Sequence, residues 1–100
     1  MDIFCFLVLE DTIDKLAKRP ILHNRSSRLA ECVTVIRACM DLWTLSPDNR
    51  DYTNKIRQTL PELAGIARQS GDLVSAWRLK MVLGKLESPK NAEWHLAQTA

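Results

Sequence analysis

Glycine and proline are scarce in this chain, three of the first and four of the second among 100 residues. A turn-rich β fold draws on both, so their shortage favours helices. Cysteine is sparse too: Cys5, Cys32 and Cys39 cannot pair completely and show no CxxC spacing. Cys32 and Cys39 stand two helical turns apart on one side of a helix, too far to bridge. Two widely separated histidines, His23 and His95, complete no zinc set with them. The thiols are therefore expected to be reduced, buried and inert as small apolar side chains. That points to a cytoplasmic protein with neither a metal nor a cofactor.

An excess of charge of one sign is also lacking. Fourteen Lys and Arg against 12 Asp and Glu leave a net +2, with the signs interspersed. A domain that neutralises many phosphates shows a marked basic excess, so bulk electrostatics give nucleic-acid binding no support. One local exception stands out: Lys15, Lys18, Arg19, Arg25 and Arg28, with no acid after Asp14, form a candidate anion or nucleic-acid contact. Such runs are more often solvated loops.

Long hydrophobic runs are missing as well. Ile3 to Leu9 is apolar throughout, but no positive charge precedes it and Glu10-Asp11 follow at once. Those flanks are the reverse of a signal peptide's, and a membrane span wants about 20 apolar residues. Neither export by that route nor a membrane-spanning helix is expected. Motifs of the GxSxG, HExxH, P-loop and GxGxxG types are absent, and neither histidine has a context that would orient it as a base. No enzyme is expected.

What is present is helical patterning in an ordinary globular composition, 46% apolar and 26% charged. Residues 1–100 suit a single helical domain, an all-α bundle of four to six helices built around a central antiparallel helical hairpin at residues 62–87. Gly71 takes the left-handed helix ending there, and Asp72 caps the helix that follows.

Around that hairpin, residues 2–18 read as a helix capped by Asp2, with Ile3, Phe6, Leu7, Ile13, Leu16 and Ala17 on its apolar side. A strand over residues 3–9, pairing with a second copy, is the alternative. Pro20 ends the segment, and Ser26 or Ser27 caps the next helix. Residues 28–45 place Leu29, Cys32, Val33, Val35, Ile36, Cys39, Met40, Leu42 and Trp43 over half a helix circumference, a core helix. After the turn at Ser46-Pro47-Asp48-Asn49, Tyr52, Ile56, Leu60 and Leu63 keep helical spacing. Thr59 and Glu62 around Pro61 fit a capping box, which predicts a bend or a fresh start. Ser88-Pro89-Lys90-Asn91 predicts a further break, before a short last helix whose Trp94 folds back on the core.

The helix from Leu73 to Glu87 carries two apolar arcs. Leu73, Val74, Trp77, Met81 and Gly84 lie on one, and Ala76, Leu79, Leu83 and Leu86 on the other. Two stripes call for two partners, and the rest of a small chain supplies one. A plain bundle centre is the bland alternative. The protein-binding candidates are Val74, Trp77, Arg78, Lys80, Met81 and Lys85, with Trp77 and Met81 as anchors and the three cations as rim.

Ile66-Ala67-Arg68-Gln69-Ser70-Gly71 resembles the first helix and turn of a helix-turn-helix reader, which implies DNA binding. The likeness ends at Asp72, which starts a new helix at once, and Leu73, Val74, Trp77 and Met81 stand where base-reading polar residues belong. The hairpin is also similar to one tetratricopeptide-type unit at Ala64, Gly71-Asp72, Ala76 and Pro89. There Lys80 replaces the usual large aromatic, and only about 28 residues are covered where such hairpins need stacked neighbours. The expectation is a small non-enzymatic adaptor, inhibitor or regulator, an antagonist of a regulatory protein among the options, that binds another protein through a helix face. A homodimer or higher homo-oligomer is expected as well. The alternative is a DNA-binding transcriptional regulator with a degenerate helix-turn-helix near residues 62–81.

Overall fold

A computed structural model of the chain describes residues 1–19 and 27–99, with side chains to residue 87. Among the described residues the structure is all-helical: α1 (Ile3–Ala17), α2 (Ser27–Leu45), α3 (Arg50–Gln69) and α4 (Leu73–Thr99). The helices close a ring in which α1 packs on α2, α2 on α3, α3 on α4, and α4 back on α1. Leu9, Leu16, Leu29, Ile36, Ile56, Leu60, Leu63 and Leu79 fill the middle with no measurable exposure.

α1 starts where Asp2 Oδ1 accepts from the Cys5 amide at 2.7 Å, an N-cap that satisfies one of the free first-turn donors. Residues 3–9 are helical throughout, which excludes the strand alternative. The buried side of α1 is Cys5, Leu9, Thr12, Ile13 and Leu16. Thr12 tolerates burial because its hydroxyl donates to the Val8 carbonyl at 2.7 Å. Ile3 and Leu7, expected inside, are outside. The first two turns are apolar all round, so periodicity offers no preferred side there. Packing against two neighbours selects Cys5 and Leu9.

α2 buries Leu29, Cys32, Val33, Ile36, Cys39 and Met40. Leu42, placed by its spacing in the core, is exposed: at about 100° per residue it lies well round the helix from the buried Ile36 and Met40. Trp43 stacks on Phe6 with ring centroids 5.6 Å apart. Ser26 lies outside the described residues, as do Pro20 and the rest of the α1–α2 connection.

Asn49 caps α3 by accepting from the Asp51 amide at 3.0 Å. Pro61 neither breaks nor restarts this helix, which runs unbroken from Arg50 to Gln69. Thr59 is not a cap: its hydroxyl donates back to the Lys55 carbonyl at 2.8 Å. Pro61 sits on the solvent side, where a proline's ring and its missing amide cost a helix least.

α3 ends on Gly71, whose φ of +86° is the left-handed value that glycine adopts freely. The Gly71 amide donates to Arg68 O at 3.0 Å and the Asp72 amide to Ala67 O at 2.9 Å, the paired bonds of a helix closed by a left-handed residue. Asp72 then caps α4, accepting from the Ser75 amide at 3.1 Å and the Ser75 hydroxyl at 2.7 Å. Burial by itself would raise the Asp72 carboxyl. The two Ser75 donors, with Arg19 and Arg78, outweigh it and hold the group below its ordinary value.

α4 continues to Thr99, so the expected break at Ser88-Pro89 and the separate final helix are absent. The backbone keeps its helical course past the one amide that Pro89 lacks. The side chain of Trp94 lies outside the described residues.

Candidate functional site

The two arcs of α4 have different fates. Ala76 and Leu79 are buried, Val82 joins them, and Leu83 and Leu86 are half-buried against the core. The other arc faces out: Leu73 and Val74 are exposed, and Trp77 is 64% exposed. Met81 sits half-buried at its edge. An indole left this open in a folded protein is uncommon, because it is the largest apolar side chain available to a core.

The exposed arc does not stop at α4. Contacts between the helices fix how α1 lies beside it. Lys85 Nζ stands 5.0 Å from the centre of the Phe4 ring, Arg78 Nη1 donates to Asp11 Oδ2 at 3.3 Å, and Arg19 meets Asp72 at 3.3 Å. Rising numbers on α1 meet falling numbers on α4, so the two helices are antiparallel. Between them runs an open groove of about 370 Å³ lined by Phe4, Leu7, Val8, Asp11, Trp77, Arg78 and Met81. Phe4 is 52% and Leu7 55% exposed. The first halves of α1 and α4 together make a continuous apolar band.

Of the six residues expected at a protein-binding face, Val74, Trp77, Arg78, Met81 and Lys85 lie along this band. Lys80 is exposed on α4 but, at about 100° per residue, falls on the flank away from α1. Arg78 is engaged internally: Asp11 accepts from it and also pairs with Lys15 at 3.0 Å. Phe4, Leu7 and Asp11 belong to the same surface, although helical spacing assigns Leu7 to the core. The signal was available, since a helix whose first seven residues are all apolar is as two-sided as α4.

The candidate anion contact does not come together in the same way. Lys15 is held by Asp11, and Arg19 by Asp72. Arg28 lies on the far side of the ring, bonded to Glu31 and gripping Glu62 through two bonds of 2.6 Å. The Glu62 bonds raise the Arg28 guanidinium above its usual value, and Arg28 in turn lowers the Glu62 carboxyl. Lys18 is exposed, and Arg25 lies outside the described residues.

The three thiols are buried. Burial, with the Asp2 carboxylate beside it, pushes Cys5 up to about 11. Burial also raises Cys32 and Cys39. Such thiols stay protonated and unreactive at neutral pH. Among the described residues no group of three His, Cys, Asp or Glu side chains could hold a metal ion, and no helix is long and apolar enough to cross a membrane. His23 and His95 lie outside the described residues. No protein-family model matches the chain, and neither a curated protein nor a solved structure does.

Proposed function

We propose that this protein acts by binding another protein, without catalysis, through the apolar band shared by α1 and α4. One observation carries the reading: Trp77, Leu73, Val74, Phe4 and Leu7 are all more than half exposed on one side of a bundle whose centre is otherwise closed. Their accessible area is on the order of 600 Å², at the upper end of the largest apolar patch on a typical monomer. Aromatic residues ringed by cations are the composition of an interface centre, in which Trp77 and Phe4 would be the anchors. Arg78 and Lys85 border the groove, and Lys80 flanks it. An adaptor, an inhibitor or a regulator would each use such a face.

DNA binding is the weaker reading. Three of the cations that would serve it are neutralised by Asp11, Asp72 and Glu62, and the outward side of α4 is apolar where bases would be read. Site-directed photocrosslinking in the cells that make the protein tests the proposal. A photoreactive residue at position 77 should give a discrete protein adduct, and one at the exposed position 58 should give none. Equal labelling from both positions, or none from either, overturns it.

A further inference from the structure

We infer that the α1–α4 groove takes an acidic amphipathic helix of another protein. Its apolar side would lie on Trp77 and Phe4, and its carboxylates at the end of the groove where α1 stops and α4 starts. This rests on the docking reading above and names the chemistry of the partner.

Charge selects the occupant. Phe4, Leu7, Asp11, Lys15 and Lys18 are exposed and follow one another at helical spacing along one side of α1, apolar at its start and basic at its end. α4 runs the other way, so the basic end comes beside the first turns of α4. Four cations stand there, Lys15, Lys18, Arg19 and Arg78, against two carboxylates. Asp11 is shared by Lys15 at 3.0 Å and Arg78 at 3.3 Å, and Asp72 meets Arg19 at 3.3 Å. The other acids of α1, Glu10 and Asp14, line a separate cavity beside α2, where Arg37 donates to Asp14 at 2.6 Å. At the opposite end the Lys85 ammonium stands 5.0 Å from the centre of the Phe4 ring, with the Asp2 carboxylate within its field. The face is therefore apolar in its middle and positive at one end. A second copy of this chain, or a basic partner, would set like charge against that excess, whereas an acidic one compensates it.

Shape selects a helix. From Phe4 to Lys15 the strip on α1 is about 16 Å long, roughly three turns. Two antiparallel helices leave a furrow between them that a third can fill with apolar residues one turn apart. Among the described residues there is no strand whose edge an extended segment could join. A bilayer surface is flat on this scale and would bridge the furrow, and Asp11 in its lining repels anionic headgroups.

Selection from a phage-displayed library of helical peptides on the immobilised full chain tests this. The expected result is enrichment of peptides that carry Asp or Glu beside an apolar stripe. Trp77→Asp should raise the dissociation constant of a selected peptide at least roughly tenfold, with an unchanged helical circular dichroism spectrum. A variant carrying both Lys15→Glu and Lys18→Glu should weaken the same peptide several-fold, as should added salt, and Gln58→Asp should leave its affinity as it is. Enriched peptides that are neutral or basic, yet lost on Trp77→Asp, keep the docking face and overturn the acidic partner. Pelleting with phosphatidylglycerol vesicles in place of peptide enrichment, abolished by Trp77→Asp, makes a lipid surface the occupant and overturns the helix. Peptides indifferent to Trp77→Asp, or no enrichment at all, also overturn it, and the crosslink from position 77 then decides whether a docking face remains.

Discussion

Two grooves of similar size lie on opposite edges of the helical ring. That between α2 and α3 encloses about 340 Å³, and that between α1 and α4 about 370 Å³. The first is lined by Arg28, Glu31, Lys55, Gln58, Thr59 and Glu62, with Cys32 and Val35 beneath them. Arg28 closes it by bonding Glu31 on its own helix and Glu62 across the gap. The second is floored by Phe4, Leu7, Val8, Trp77 and Met81, and the Arg78–Asp11 pair across it leaves Trp77 open. The bundle treats the α2–α3 seam as a surface that water sees for good. The α1–α4 seam is built like half of an interior.

The sharpest break in that comparison comes from two residues two positions apart. Leu79 has no exposure, so Leu79→Ala should destabilise the chain by about 2–4 kcal/mol in urea unfolding. Trp77→Ala removes more atoms yet should cost less than about 0.5 kcal/mol when the protein is dilute. Comparable losses from the two would mean that the outer stripe is covered by the chain itself. Asp72→Ala removes the cap at the α3–α4 corner and should cost about 1–2 kcal/mol at neutral pH. Because the folded state lowers the Asp72 carboxyl, its contribution is present above the ordinary aspartate range and is lost as pH falls through and below it. The gap between wild type and Asp72→Ala should therefore close in acid unfolding curves below about pH 4. A gap that stays constant to pH 2 would assign the loss to packing.

Smaller effects sharpen the picture. With all three thiols buried and raised, a disulfide reagent at pH 8 should label them slowly in native protein and at once in denaturant. Rapid labelling of one thiol in native protein would show that its helix opens locally. Glu62→Gln, in the exposed Arg28 pair, should produce the least change: a slight drop in the urea midpoint at low salt, erased at high salt. A drop that survives salt would mean that the α2–α3 groove depends on its ion pairs for shape.

Helix content was legible because local rules agree with one another. Asp2, Asn49, Gly71 and Asp72 each do what their residue type favours at a helix end. Spacing found the inner side of α3, where Ile56, Leu60 and Leu63 are buried and Tyr52 and Ile66 pack beside them. Pro61 and Pro89 misled for one reason. Proline's breaking tendency is a local average, and both helices run straight through it in sequence.

The sequence by itself determined that this chain is helical, where most of its helices begin, and that α4 has two apolar sides. It could not determine which side would face out, because hydrophobicity is a property of a residue and burial is a property of its neighbours. The same limit hid Phe4 and Leu7, whose helix is apolar over its whole first half. Only the antiparallel placement of α1 against α4, set by Phe4 with Lys85, Asp11 with Arg78 and Arg19 with Asp72, decided that two leftover stripes would meet. Packing spends the apolar surface that the core needs, and what remains on adjacent helices becomes a single face.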